Sequence, residues 1–463
     1  MKRFFAFALM LGLSLMGIGC GSNSHTTLSQ SASVFVTGED APLSSVVGFS
    51  LTLNSVTLNA QGGTTATVIS TPTTVDFARL LGLRSPLAFD AVAPGTYTSA
   101  TFVVANSMIS YIDMTKNPPA LNTYAGALPQ NPDTITVNFP TPMVVANNGL
   151  AGLKMEVDIR QSISVDANGQ IVLNASGQAI VNPVIYAKAT KASDPDGEIT
   201  DLMGGLVSVS AANNSFELQG PYGRQLTIYV NANTQFNSGW NINNLAAPAF
   251  VAVQGQFQAD GSLLASSVEV VTTSHSFVSG RVLQVGTSGS GDLQVTMWIG
   301  ETGADMVSWV DTIQTIDINA VTQYDICFMD NPFTNALFSS TSIEVGQRIF
   351  VGGSFVNSAF TPAMISLRRQ GMYGTLDVGH VTVTNGNAGN FLLNNNGLVG
   401  YSVGGPVTVN TFNGTFFFNL TGLSQLQSET TAIPLVTRGL LLKDPVSGTT
   451  QFYAGLVAYP QGN

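Results

Sequence analysis

Among the side chains of this sequence, the carboxylates come nearest to a catalytic spacing. Glu156 and Asp158 lie two apart in Leu153–Ile163, and alternation along a strand places both on one face. Two carboxyl groups at a fixed separation run most glycoside hydrolysis. Glu39 beside Asp40, and Asp311 with Asp317, are the other candidate pairs. Two of them have a plainer reading: Asp158 suits a structural cap or a hydrogen bond in a buried loop, and Asp40 before Ala41-Pro42 suits a turn.

Asp194, Asp196, Glu198 and Asp201 gather around Gly197 in one short loop. Ca²⁺ takes roughly six to eight oxygen ligands, so this loop is a candidate Ca²⁺ site, although its spacing is not that of an EF-hand. A solvated acidic hinge is the alternative, and no other cofactor is indicated. Trp240 stands in a loop-like run between Ser238-Gly239 and Asn241–Asn244. An exposed indole there could stack on a sugar ring, which makes Trp240 the candidate ligand contact. Trp298, Trp309, Tyr222, Tyr229 and Phe416–Phe418 are as readily absorbed by a core.

Other catalytic machinery is missing from the sequence. The three histidines, His25, His275 and His380, are far apart, and no His-Glu-x-x-His helix exists. Gly286–Asp292 has the wrong spacing for a nucleophile elbow and reads as a hairpin loop. Cys327, in Tyr324–Phe328, reads as a buried inert thiol, because a reactive thiolate needs an exposed electropositive site. We therefore expect no enzymatic activity. A carboxylate-dependent glycan-active enzyme remains the alternative.

The elements that would carry these residues are strands. Phe49–Leu53, Ile135–Phe139, Leu226–Val230 and Val381–Val383 alternate apolar and polar side chains. Asn168-Gly169, Asn385-Gly386, Asn396-Gly397 and Asn413-Gly414 supply tight hairpin turns. One short helix is expected over Val75–Leu81. The fold class is all-β: an N-terminal β-sandwich followed by about three small β-barrel or sandwich units. The sandwich covers 32–190 and an acidic linker 191–203.

The remainder carries a weak repeat, the mark of tandem modules. Its opening strand recurs at Gly205–Val209, Gly280–Val285 and Gly374–Val378. Its second landmark recurs at Thr234-Gln235-Phe236, Thr322-Gln323-Tyr324 and, faintly, Thr411-Phe412. Its third recurs at Val251–Gly255, Ile349–Gly353 and Leu435–Gly439. The units run 204–275, 276–372 and 373–463.

Charged residues make up only 9% of the chain and hydrophobic ones 44%, the reverse of a disordered composition. With a net charge of -11 and no basic tract, nucleic acid is not an expected partner. Lys2-Arg3 followed by apolar Phe4–Ile18 reads as an export signal over residues 1–19. Gly17-Ile18-Gly19-Cys20 resembles the lipobox of bacterial lipoproteins, which implies acylation of Cys20 and a lipid anchor in the membrane. Gly17 departs from the usual Leu of that motif. Gly21 stands where an inner-membrane retention signal has Asp, so the outer membrane or cell surface is the expected location. Residues 20–31 are polar and read as a flexible tether.

Two further resemblances rest on longer stretches. Val34–Leu43, Pro94-Gly95-Thr96-Tyr97 and Leu153–Ile163 resemble an uncharacterised domain family of bacterial secreted lipoproteins. Thr234-Gln235-Phe236, Val251–Gly255 and Asp260–Val268 are similar to a second uncharacterised family that occurs in tandem and is expected to form a small barrel. Neither implies an activity. The abundance of Ser, Thr, Asn and Gln suits neutral hydrogen bonding to a polymer. The expectation is thus a structural, adhesive or polysaccharide-binding lipoprotein, or a scaffold that binds another envelope protein by strand addition.

Overall fold

The computed structural model describes residues 32–460 except 42, 44, 81–83, 167–169, 195–196, 221–224, 290, 319, 322, 328–336, 396–405 and 444–447. It is nearly all β, with five sheets. No helix among the described residues is long and apolar enough to cross a membrane.

The N-terminal region is a sandwich. Its smaller sheet orders the strands Ile185–Thr190, Leu150–Asp158, Ala32–Ala41 and Ser85–Val92. Its larger sheet is built on two long antiparallel strands, Val46–Ala60 and Gly95–Asp113. Thr65–Ile69 and Thr73–Asp76 pair with the first of these, and Asp133–Val145 and Ala120–Ala127 with the second. Inward residues of both sheets, among them Val34, Val36, Leu51, Phe102 and Leu153, are fully buried in one core. The expected helix over Val75–Leu81 is not formed. Val75 pairs with Leu51 in the sheet, and only a 3-10 turn, Phe77–Leu80, follows.

Three units of identical topology come next. Each has six strands, and numbering them in chain order gives the spatial order third, second, first, fifth, sixth, fourth. In the first and third units the third strand also pairs in parallel with the sixth, at Ile228↔Leu263 and Val409↔Phe452, closing a five-stranded barrel. The middle unit stays open along that seam among its described residues. The strand Ile199–Ser210 that opens the first unit begins inside the acidic stretch.

The repeat landmarks have a steric cause. Gly204, Gly280 and Gly374 pair with Val251, Ile349 and Leu435. A Cβ at these glycines would lie 2.4 Å from the Gln219 carbonyl, 1.8 Å from that of Trp298 and 2.3 Å from that of Asn394. The equivalent of Gly280 is thus Gly204, one residue before the expected Gly205. Gly255, Gly353 and Gly439 sit at bulges under the carbonyls of Leu264, Thr361 and Tyr453. Only glycine lets two backbones approach so closely.

Thr234 accepts a hydrogen bond from the Asn231 N–H at 2.9 Å and donates to the Ala265 carbonyl at 2.7 Å. Thr415 repeats this bridge between Phe412 and Ala454, at 2.8 and 2.7 Å. The third copy of that landmark is therefore Thr415-Phe416, not Thr411-Phe412. Thr322 lies outside the described residues.

The four bodies pack into one another. Phe35 and Phe89 of the sandwich stack on Phe257 of the first barrel, with centroids 4.9 and 6.0 Å apart. Phe250, Phe277 and Phe350 cluster between the first two units. Leu440 and Leu442 of the third unit join the core of the second. Arg160 lies 4.5 Å from the ring of Tyr373 and Lys188 4.5 Å from that of Phe418, joining sandwich to third unit.

Candidate functional site

The larger sheet of the sandwich turns a hydroxyl- and amide-bearing face to solvent. Along Val46–Ala60 the apolar residues Val56 and Leu58 point into the core, so Thr57 and Asn59 point out. The same alternation exposes Thr134, Thr136 and Asn138 on a neighbouring strand. Register then places Thr67, Thr57, Thr101 and Thr136 side by side across four strands. Thr65, Asn59, Ser99 and Asn138 form the next row.

These groups hold one another in place. The hydroxyls of Thr57 and Thr67 share a hydrogen bond at 3.3 Å, and those of Thr101 and Thr136 share one at 3.0 Å. Asn59 Nδ2 donates to both Ser99 Oγ and Thr101 Oγ1 at 3.0 Å. Thr52 and Thr74 add a further pair at 2.9 Å. Each hydroxyl has one proton and two lone pairs, so such chains leave acceptors directed outward. Rows repeat at about 4.8 Å between strands and about 7 Å along them. Sequence reasoning misses this face: the alternation is visible in it, but the identity of the neighbouring strands is not.

The carboxylates assemble differently from any expected pair. Glu39 and Glu156 face each other across the parallel strands Ala32–Ala41 and Leu150–Asp158. Lys154 Nζ stands between them, 2.6 Å from Glu39 and 3.9 Å from Glu156. Arg84 and Arg438 also approach Glu39, at 3.5 and 3.1 Å. Burial alone would raise the Glu39 pKa, but Lys154, Arg84 and Arg438 outweigh it and hold the carboxyl well below the usual range. Glu156 is pushed up to about 7 by burial, with Glu39 and Asp158 adding to the shift and Lys154 opposing it.

Asp158 caps the short helix Ile159–Ser162, accepting the Gln161 N–H at 2.9 Å. Asp311 and Asp317 sit at opposite ends of the strand Thr312–Asp317, one paired with Arg79 and the other with Gln294. The side chain of Asp40 lies outside the described residues.

Trp240 lies in a loop, half-buried against the core of the first barrel, and Asn241 and Asn244 bond within the same loop. Of the candidate Ca²⁺ ligands, Asp194 accepts the Lys191 N–H at 3.1 Å and Glu198 accepts the Ser266 hydroxyl at 3.4 Å. Asp196 and the side chain of Asp201 lie outside the described residues, as does Cys20. Cys327 is buried without a disulfide, its Sγ 3.5 Å from Glu269.

Comparison with known families covers the sandwich and the first barrel. Residues 31–175 match a domain of unknown function (DUF4382), and residues 203–269 match a second one (DUF5666). The first match falls on the sandwich and the second within the first closed barrel. The chain thus combines two uncharacterised domains in a β-rich protein with small barrels. No curated protein matches it.

Proposed function

We propose that the chain is a non-catalytic, exported lipoprotein of the cell envelope that holds neutral polysaccharide on the threonine-asparagine face of its sandwich. The row Thr67–Thr57–Thr101–Thr136 carries this reading. An extended polymer with repeating hydroxyls meets an uncharged lattice whose hydrogen bonds are already oriented, so little side-chain entropy is lost on binding. The low charge of the chain favours a neutral polymer over an acidic one. Packing of the three units against the sandwich suits display on a surface, with Cys20 as the lipid attachment point and Trp240 as a second contact.

Retardation of the chain in native gels cast with neutral and acidic polysaccharides tests this. The expected outcome is retardation on at least one neutral polymer, partly reduced by Trp240→Ala. Migration unchanged on every polymer rules the reading out and leaves a structural or protein-binding role.

The glycan-active enzyme is the second reading, favoured by the Glu39–Glu156 pair and the raised Glu156. Hydrolysis of a polysaccharide that Glu156→Gln abolishes would support it.

A further inference from the structure

A cavity of about 460 Å³ opens where the sandwich, the first barrel and the middle unit meet. Its volume falls in the range of small-ligand sites, and junctions between domains are common places for them. Four arginines line it in a chain that has only 16 basic residues: Arg79, Arg84, Arg281 and Arg348. Two are engaged by acids. Arg79 meets Asp76 at 2.9 Å and Asp311 at 2.8 Å, and Arg84 meets Glu39 at 3.5 Å.

Arg281 is different. It is 8% exposed, its one side-chain bond goes from Nη1 to Gln370 Oε1 at 2.8 Å, and no carboxylate pairs with it among the described residues. The like charge of Arg348 lies close by, and burial together with that charge holds the Arg281 pKa down to about 9. Two residues of the cavity wall, each 6% exposed, hold a buried polar atom with no partner among the described residues: the indole N–H of Trp298 and the hydroxyl of Ser85. Burying a charge without a counter-charge, or a donor without an acceptor, costs stability. A ligand that brings acceptors and negative charge removes both costs.

We propose that this cavity binds the oxyanion of a small ligand, a carboxylate or a phosphate, with Arg281 as counter-charge and Trp298 and Ser85 as hydrogen-bond donors. Thr74 borders both this cavity and the threonine face, but the proposal does not depend on that face's function.

The test uses the full chain in detergent and reads both intrinsic fluorescence and thermal unfolding. Trp298 is one of only three tryptophans, so binding beside it should change emission. The probes are D-glucuronate and inorganic phosphate, with D-glucose as the neutral control, at matched ionic strength. The expected result is a saturable response to at least one anion and none to glucose. A response to glucuronate alone assigns a carboxylate ligand, and one to phosphate alone assigns a phosphate. Arg281→Met should weaken that response at least tenfold while raising the unfolding temperature without ligand, because it removes a buried unpaired charge. Ser85→Ala should weaken it severalfold and decides the matter if Arg281→Met does not fold. No saturable response to either anion, or an equal response in wild type and the folded variants, overturns the proposal.

Discussion

Arg438 Nη2 in the third unit donates to Glu39 Oε1 in the first strand at 3.1 Å, across 399 residues of sequence. Glu39 is thereby the shared counter-ion of Lys154, Arg84 and Arg438, with its side chain only 12% exposed. The first strand of the sandwich and the third unit are tied by one carboxylate.

Removing that carboxylate takes from three buried cations the acid they share. Glu39→Gln should cost about 3–5 kcal/mol in urea unfolding at pH 7, the usual penalty for breaking a buried pair. A loss under about 1 kcal/mol would show the cluster to be well hydrated and unimportant. The sign with pH follows from its depressed pKa. An unfolded chain protonates Glu39 near its ordinary value of about 4.3, whereas the folded chain keeps it ionised. Its stabilisation is therefore present above that pH and fades as pH falls below it. Glu39→Gln should flatten this acid limb.

Glu156 behaves in the opposite sense. Its folded pKa is about 7, so between the ordinary value and 7 the folded chain holds a proton that the unfolded chain releases. Stability from this group is complete at low pH and is lost as pH rises through 7. Glu156→Gln should stabilise the protein by about 1–3 kcal/mol at pH 8 and by almost nothing at pH 4. Equal effects at both pH values would contradict the assignment.

The glycine pair that opens the first barrel offers a control within two residues. A Cβ at Gly204 would meet the Gln219 carbonyl at 2.4 Å, whereas one at Gly205 meets nothing within 4 Å. Gly204→Ala should cost about 2 kcal/mol or more, as overpacking does. Gly205→Ala should stay within about 0.5 kcal/mol of wild type. Thermal unfolding of the two variants side by side separates close backbone approach from a general need for flexibility.

Thr415 should be as important to the third barrel as Thr234 is to the first. Thr415→Val removes the hydroxyl that joins the Phe412 N–H to the Ala454 carbonyl and should cost about 1–3 kcal/mol. The same substitution at Thr411 tests the alternative alignment, but Thr411 has its own bonds to Asn387 and Gly389. The informative readout is therefore hydrogen exchange at the Phe412 amide, which should accelerate only in Thr415→Val.

Legibility in the sequence followed physical locality. The three units could be read because their glycines answer a steric demand that recurs at the same place in each copy. The second landmark slipped to Thr411 because loop lengths differ among copies while the Thr bridge does not. Val75 misled because the helix signals around it, a Thr cap before it and Gly82 and Pro86 after it, are overridden by pairing with Leu51. Glu156 was visible as half of a pair, but its partner is Glu39, brought alongside by parallel pairing of strands more than 100 residues apart. The threonine rows show locally only as alternation, and both they and the Arg281 cavity depend on the same kind of long-range register.

The most direct test of polysaccharide capture is binding by a triple variant, Thr57→Val, Thr101→Val and Thr136→Val. Valine keeps the shape and strand preference of threonine and puts a methyl group in place of the hydroxyl, so the sheet should persist by circular dichroism. Retardation on the neutral polymer that the wild type binds should then be lost, while Trp240→Ala retains at least part of it. Undiminished retardation by a folded triple variant would contradict the account and move the binding surface elsewhere on the molecule.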